Sequence, residues 1–195
     1  MWSDNRVIRK CGCGPVAAFD LCCYLESREY GHPLQPVRNI SEYCQRLEEV
    51  QKRYFPLLYP SGINGFLLAA GLNRLFRDRA LPWHARWAGS GRMMLYRIQA
   101  MLAQDIPVIL SVGPNFPFFW QKHTLPFYQK NRHGELQRST AASGHYVTVL
   151  AIDDETMTVS SWGRLYVIKL KEYRTFVRNH SNALFSNIII IEKKG

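Results

Sequence analysis

Two short stretches, more than a hundred residues apart, hold the side chains best suited to do chemistry. The first is Lys10-Cys11-Gly12-Cys13-Gly14-Pro15-Val16-Ala17-Ala18. It sets a cysteine at the cap of a helix predicted over residues 15–26, with Pro15 in the first turn, where a missing N–H costs nothing. The next turns carry Val16, Ala17, Phe19, Leu21, Cys22, Cys23 and Leu25, and Asp20 is the one charge before Glu26. A helix apolar on nearly all sides belongs in the middle of a domain. A thiol at its start faces unpaired N–H groups and the positive end of the dipole, both of which lower a thiol pKa. Gly12 and Gly14 leave room for a substrate backbone to approach. The pattern also fits a plain buried thiol, since cysteine is among the most buried residue types.

The second stretch is Ser143-Gly144-His145-Tyr146-Val147-Thr148-Val149-Leu150, with a histidine at the first position of an apolar strand. Fifteen residues beyond His145 comes Ser160-Ser161-Trp162-Gly163. A base on one strand and an orienting polar residue at the end of the next suit a Cys–His pair with a third member.

Taken together, Cys13-Gly14-Pro15, Gly144-His145 and Ser160-Ser161-Trp162-Gly163 resemble the papain-like cysteine peptidase fold. The likeness is closest to the C39-like peptidases, whose nucleophile motif is Cys-Gly-Pro followed by small residues. The Trp-Gly segment is also similar to the Asn-Ser-Trp-Gly motif of papain itself. The resemblance implies a single domain over residues 1–195 of α+β class, its N-terminal helices packed on a C-terminal antiparallel sheet. It implies Cys13 as nucleophile and His145 as the general base. Ser160 falls where papain has Asn and the C39 group usually has Asp; a hydroxyl can hold the ring but brings no charge to support imidazolium. Asp153 and Asp154 read as turn residues.

The family also supplies a Gln six residues before the nucleophile. Here that position is Val7, and the nearest amide, Asn5, lies six before Cys11. A shifted register with Cys11 as nucleophile therefore stays open, although Gly-Pro and the helix follow Cys13 directly. The implied reaction is attack on an amide carbonyl, a thioester, then hydrolysis, with the oxyanion at the Cys13 N–H aided by Asn5. Gly12, Gly14, Gly144 and Trp162 would line the substrate site, with Trp162 shielding His145 from water. No metal or organic cofactor is called for, and the substrate would be a peptide or protein, acidic by charge complementarity. A non-catalytic module that binds a peptide or protein through the same cleft is the main alternative, favoured by Val7 and Ser160. A thiol-dependent acyltransferase is another.

Composition bounds these readings. The chain has 195 residues, 47% of them hydrophobic and 21% charged, enough to bury a full core. Its longest apolar runs, residues 65–72 and 188–191, fall short of the roughly 18 residues that a membrane span needs. No signal-peptide core follows Met1, which leads to an expectation of a cytoplasmic protein. Five cysteines, at positions 11, 13, 22, 23 and 44, crowd the first quarter with neither a disulfide framework nor zinc spacing. The other histidines, His32, His84, His123, His133 and His180, have no ligand neighbours at metal spacing. A net charge of +10 would attract nucleic acid, anionic membranes or acidic peptides. The basic residues are scattered apart from clusters at 74–79, 164–178 and 193–194, and no phosphate loop, recognition helix or RNP strand supports nucleic-acid binding.

The elements that must position the two stretches are legible from periodicity. Helices are predicted over residues 41–53 with Ser41 as cap, 63–77, from Ser90 to about 104, and 171–178. Strands are predicted over 83–87, 107–112, 146–152, 156–161, 165–170 and 187–192, with a hairpin of 125–130 and 135–140 around Arg132-His133-Gly134. The stretch 113–143 is long for a connection, and its aromatic run Asn115-Phe116-Pro117-Phe118-Phe119-Trp120 fits a cleft floor, a partner contact or a satellite core.

Overall fold

The computed structural model describes residues 6–31, 39–87 and 92–194. It is an α+β protein, with helices and antiparallel strands, and it divides into two compact units. One takes Met1–Trp87 with Ile191–Gly195, the other Ala88–Ile190.

The first unit is mainly helical: α1 (Arg6–Cys11), α2 (Cys13–Tyr30), α3 (Ile40–Tyr54) and α4 (Gly65–Asp78), followed by strand β1 (Trp83–Trp87). Helix α2 is its centre. It packs against α1, α3 and α4 and buries Ala17, Ala18, Phe19, Leu21, Cys22 and Leu25. Over these turns Asp20 is the exposed position of an otherwise apolar, largely buried helix. It ends at Gly31, whose φ of +63° is the left-handed stop that glycine adopts without a Cβ penalty. Asparagines cap the next two helices. Asn39 Oδ1 accepts from the Glu42 N–H at 2.8 Å, and Asn64 Oδ1 accepts from the Leu67 N–H at 2.9 Å. Asn39, not Ser41, is thus the cap of α3, because only the residue before the first turn can reach back to the orphan amides.

Helix α4 holds β1 by packing Phe66 on Trp87 and by the side chain of Asn73. Asn73 donates from Nδ2 to the Ala85 carbonyl and accepts from the Ala85 N–H, each at 2.7 Å. The amide thus stands in for a neighbouring strand. The last residues of β8 (Ile188–Lys193) lie on the other side of β1, where Arg86 forks onto Glu192 at 2.8 and 3.2 Å.

The second unit runs α5 (Arg92–Ala103), β2 (Val108–Val112), β3 (Leu125–Lys130), β4 (Leu136–Ala142), β5 (His145–Ile152), β6 (Thr156–Ser161), β7 (Arg164–Lys169) and α6 (Leu170–His180), then enters β8. Its sheet order is β8-β2-β5-β6-β7-β3-β4, with antiparallel pairing. Strand β2 is buried at every position between β8 and β5, as its unbroken apolar run requires. The expected β3–β4 hairpin forms around Gly134, at φ +83°, and is closed by the Asn131 N–H on the Glu135 carbonyl at 2.9 Å.

Helix α1 is the element that periodicity did not reveal, because six residues are too few to show one. Ser90 lies outside the described residues. Among the described residues, no helix is long and apolar enough to cross a membrane.

Candidate functional site

The His145 side of the expected site is assembled entirely within the second unit. Gly144 turns the chain into β5 with φ +60°, a conformation that a side chain would strain. Its N–H donates to the Gly113 carbonyl at 3.1 Å, and the Gly113 N–H donates to Ser186 Oγ, also at 3.1 Å. His145 opens β5 opposite Val112 of β2. The period of two then puts His145 on the face of Val147 and Val149, both buried.

On β6 the same face carries Met157, Val159 and Ser161. His145 Nε2 and Ser161 Oγ accordingly share a hydrogen bond of 2.7 Å. This corrects the expected third residue. Ser160 sits between Thr148 and Leu165 on the opposite side of the sheet, because neighbouring strand residues point to opposite faces. The alternation Met157, Val159, Ser161 carried this signal. Motif alignment alone picked the wrong serine of the pair.

Trp162 covers the ring. Its indole stacks on His145 with centroids 4.2 Å apart and planes within 9° of parallel. Phe127 and Tyr166 hold it from the side at 5.7 Å each. The backbone that delivers it is unusual. Trp162 and Gly163 are the two central residues of the β6–β7 hairpin, between the paired Ser161 and Arg164, with φ +47° and +69°. Two positive φ values mark the hairpin turn that Asn-Gly normally occupies. A bulky side chain at the first of them costs about 1–3 kcal/mol, which the surrounding structure must sustain. Trp162 is still 52% exposed, so it roofs the ring rather than filling the core.

The electrostatic result is a neutral imidazole. Burial pushes the His145 pKa down to about 4, and no carboxylate among the described residues opposes the shift. Ser161 orients the ring without charging it. The engagement of Nε2 leaves Nδ1 as the nitrogen not used by Ser161.

Cys13 belongs to the first unit. It is half-buried and is the first residue of α2, with Gly12 as the cap, one place earlier than expected. Helix α1 runs almost directly into it. The Gly12 N–H donates to the Ile8 carbonyl at 2.8 Å, and the Gly12 carbonyl accepts from the Val16 N–H at 2.9 Å. The carbonyl end of α1 therefore offsets part of the dipole expected at Cys13. Gly12 also has a packing cause, since a Cβ there would strike the Ile8 carbonyl. Gly14 is buried in the first turn of α2.

The other thiols are set apart from chemistry. Cys11 is buried and donates to the Pro60 carbonyl at 3.2 Å. Burial pushes Cys22 up to about 12 and raises Cys23 as well. Asn5 lies outside the described residues, and Val7 offers no side-chain donor. Among the described residues, no three His, Cys, Asp or Glu side chains gather as a metal centre would require.

No protein-family model matches the chain, and no curated protein or solved structure matches it either.

Proposed function

We propose that the chain is a cysteine-dependent amide hydrolase of papain-like arrangement, with Cys13 as nucleophile and His145 as general base. The observation that carries this reading is Trp162, held in a left-handed backbone conformation so that its indole lies flat on His145. Asparagine or glycine would take this turn position with less strain than tryptophan. A base that must stay neutral and dry does need the tryptophan. The Ser161 bond on Nε2 supports the same reading: in the tautomer in which Nε2 donates to Ser161 Oγ, Nδ1 is the acceptor for a thiol proton.

In this mechanism Nδ1 takes the Cys13 proton as sulfur attacks the amide carbonyl carbon. The negative charge gathers on the carbonyl oxygen of the tetrahedral intermediate. The C–N bond breaks as imidazolium returns the proton to the leaving amine. A water molecule, deprotonated by the same nitrogen, then hydrolyses the thioester. Ser161 brings no negative charge, so the imidazolium is supported only by hydrogen bonding. This favours a resting pair of thiol and neutral imidazole over a preformed ion pair. The substrate is a peptide or protein segment, with acidic ones favoured by the net charge of +10.

Alkylation by iodoacetamide at neutral pH, read by peptide mass spectrometry, tests the pairing. Cys13 should be modified about tenfold faster than Cys11, Cys22, Cys23 or Cys44. His145→Ala should remove that advantage, and Ser161→Ala should reduce it, while Ser160→Ala leaves it intact. Equal rates at all five cysteines, or a Cys13 rate indifferent to His145, would overturn the hydrolase reading and leave a binding module.

A further inference from the structure

The most exposed apolar surface of the second unit lies on the connection after β2. Phe116, Phe118, Phe119 and Trp120 are 40, 46, 59 and 75% exposed, and Leu184 nearby is 55% exposed. The connection is built, not loose. Asn115 Nδ2 donates to the His123 carbonyl at 3.1 Å, the Phe116 N–H donates to the His180 carbonyl at 3.0 Å, and the Gln121 N–H donates to the Phe118 carbonyl at 3.0 Å. His123 stacks on His180 at 3.9 Å, which ties the loop to the last residue of α6. The rings interlock edge to face or tilted, Phe116 with Phe119 and Phe185 at 5.8 and 5.5 Å, and Phe118 with Trp120 at 5.2 Å.

Helix α6 leads from this knob and is amphipathic. Leu170, Tyr173 and Phe176 are buried, while Lys171, Arg174 and Arg178 are exposed around one shallow hollow. Lys122 adds a further exposed cation on the loop itself. Residues 113–124 and 174–187 contain no carboxylate at all. Glu172, the one carboxylate of α6, is engaged by Tyr128 and Lys169, so the surface joins a projecting aromatic cluster to a predominantly basic stripe.

We propose that this edge of the second unit seats on an anionic membrane surface, with the aromatic knob entering the headgroup boundary and the α6 stripe lying over the headgroups. The composition is that of an interfacial anchor: amphipathic Trp and Phe at the boundary and Lys/Arg toward anionic lipid. Single-stranded nucleic acid is the competing occupant of an aromatic and basic surface, and its binding is an outcome of the test below. A second copy of the chain would bring one basic stripe toward another, so self-association is opposed by charge.

The experiment is sedimentation of the full chain with large vesicles of phosphatidylcholine, with or without about one third phosphatidylserine. Retention on the anionic vesicles only, weakened by salt, is expected. Trp120→Ser and Phe119→Ser, both at exposed positions, should each abolish most of it. Arg174→Glu should weaken it about tenfold, whereas Arg132→Glu, an equal charge change at the β3–β4 hairpin, should have little effect. No retention on either vesicle would overturn the proposal, as would retention indifferent to Trp120 and Phe119. Two further outcomes would also overturn it: binding of a single-stranded oligonucleotide without vesicle binding, or a concentration-dependent dimer that Trp120→Ser dissolves.

Discussion

Trp162 concentrates the residue-scale argument, because its two roles pull in opposite directions. As a turn residue it is a poor choice, and Asn would adopt φ +47° at lower cost. As a roof for His145 it is well made. Trp162→Asn separates the two. Its unfolding free energy should stay within about 1 kcal/mol of the parent, since relieved strain offsets the lost ring contacts. The His145 pKa should meanwhile rise from about 4 toward its ordinary 6.5 as water reaches the ring. Histidine proton NMR against pH reads the second quantity and urea denaturation the first. An unmoved His145 titration would mean that the indole does not keep the ring dry. The serine pair teaches a related lesson. Residue types and approximate spacing were readable at Ser160-Ser161, but which hydroxyl meets the imidazole depends on strand phase. A single step along β6 exchanges one face of the sheet for the other.

At the scale of elements, the strongest local rules held. Strand β1 at Trp83–Trp87, strand β6 at Thr156–Ser161 and the β3–β4 hairpin follow directly from alternation and turn residues. Caps were harder, because Ser41 and Asn39 are both good capping types and only backbone geometry selects Asn39. Helix α1 was invisible, and it is the element that alters the setting of Cys13. Asn73 shows how much one polar side chain can do between elements. Asn73→Ala would leave both the N–H and the carbonyl of Ala85 without that partner, in a part-buried position. A loss of about 2–3 kcal/mol in urea unfolding is expected, with no change in the His145 titration. A loss below 0.5 kcal/mol would mean that water replaces the amide at little cost.

For the whole molecule, His145 makes stability depend on pH in a direction that can be worked out. Its folded pKa is depressed to about 4 from 6.5, so between those values the unfolded chain binds the extra proton. Stability from this group is therefore fully present above pH 6.5 and declines as pH falls toward 4. The full amount is on the order of 3 kcal/mol. His180, also held below its ordinary value by burial and by His123, adds to the same trend. Urea denaturation at pH 7 and pH 4.5 should show the decline, and His145→Gln should remove most of the difference. An unchanged difference in that variant would place the acid sensitivity elsewhere. The net charge of +10 adds self-repulsion as pH falls, a contribution that both chains share and the comparison cancels.

By itself the sequence determined the α+β class, the buried central character of helix α2, the unbroken core strand β2 and the placing of a histidine at the head of β5. Each follows from local pattern: apolar periodicity and proline in a first turn. Only the tertiary structure decided that Ser161 holds His145, that Trp162 accepts backbone strain to cover it, and that Cys11 is bonded to Pro60. It also decided that the aromatic run after β2 projects outward beside α6. These outcomes rest on which faces meet across distant segments, and on how fully water is expelled where they meet. Neither quantity is contained in any single stretch of chain.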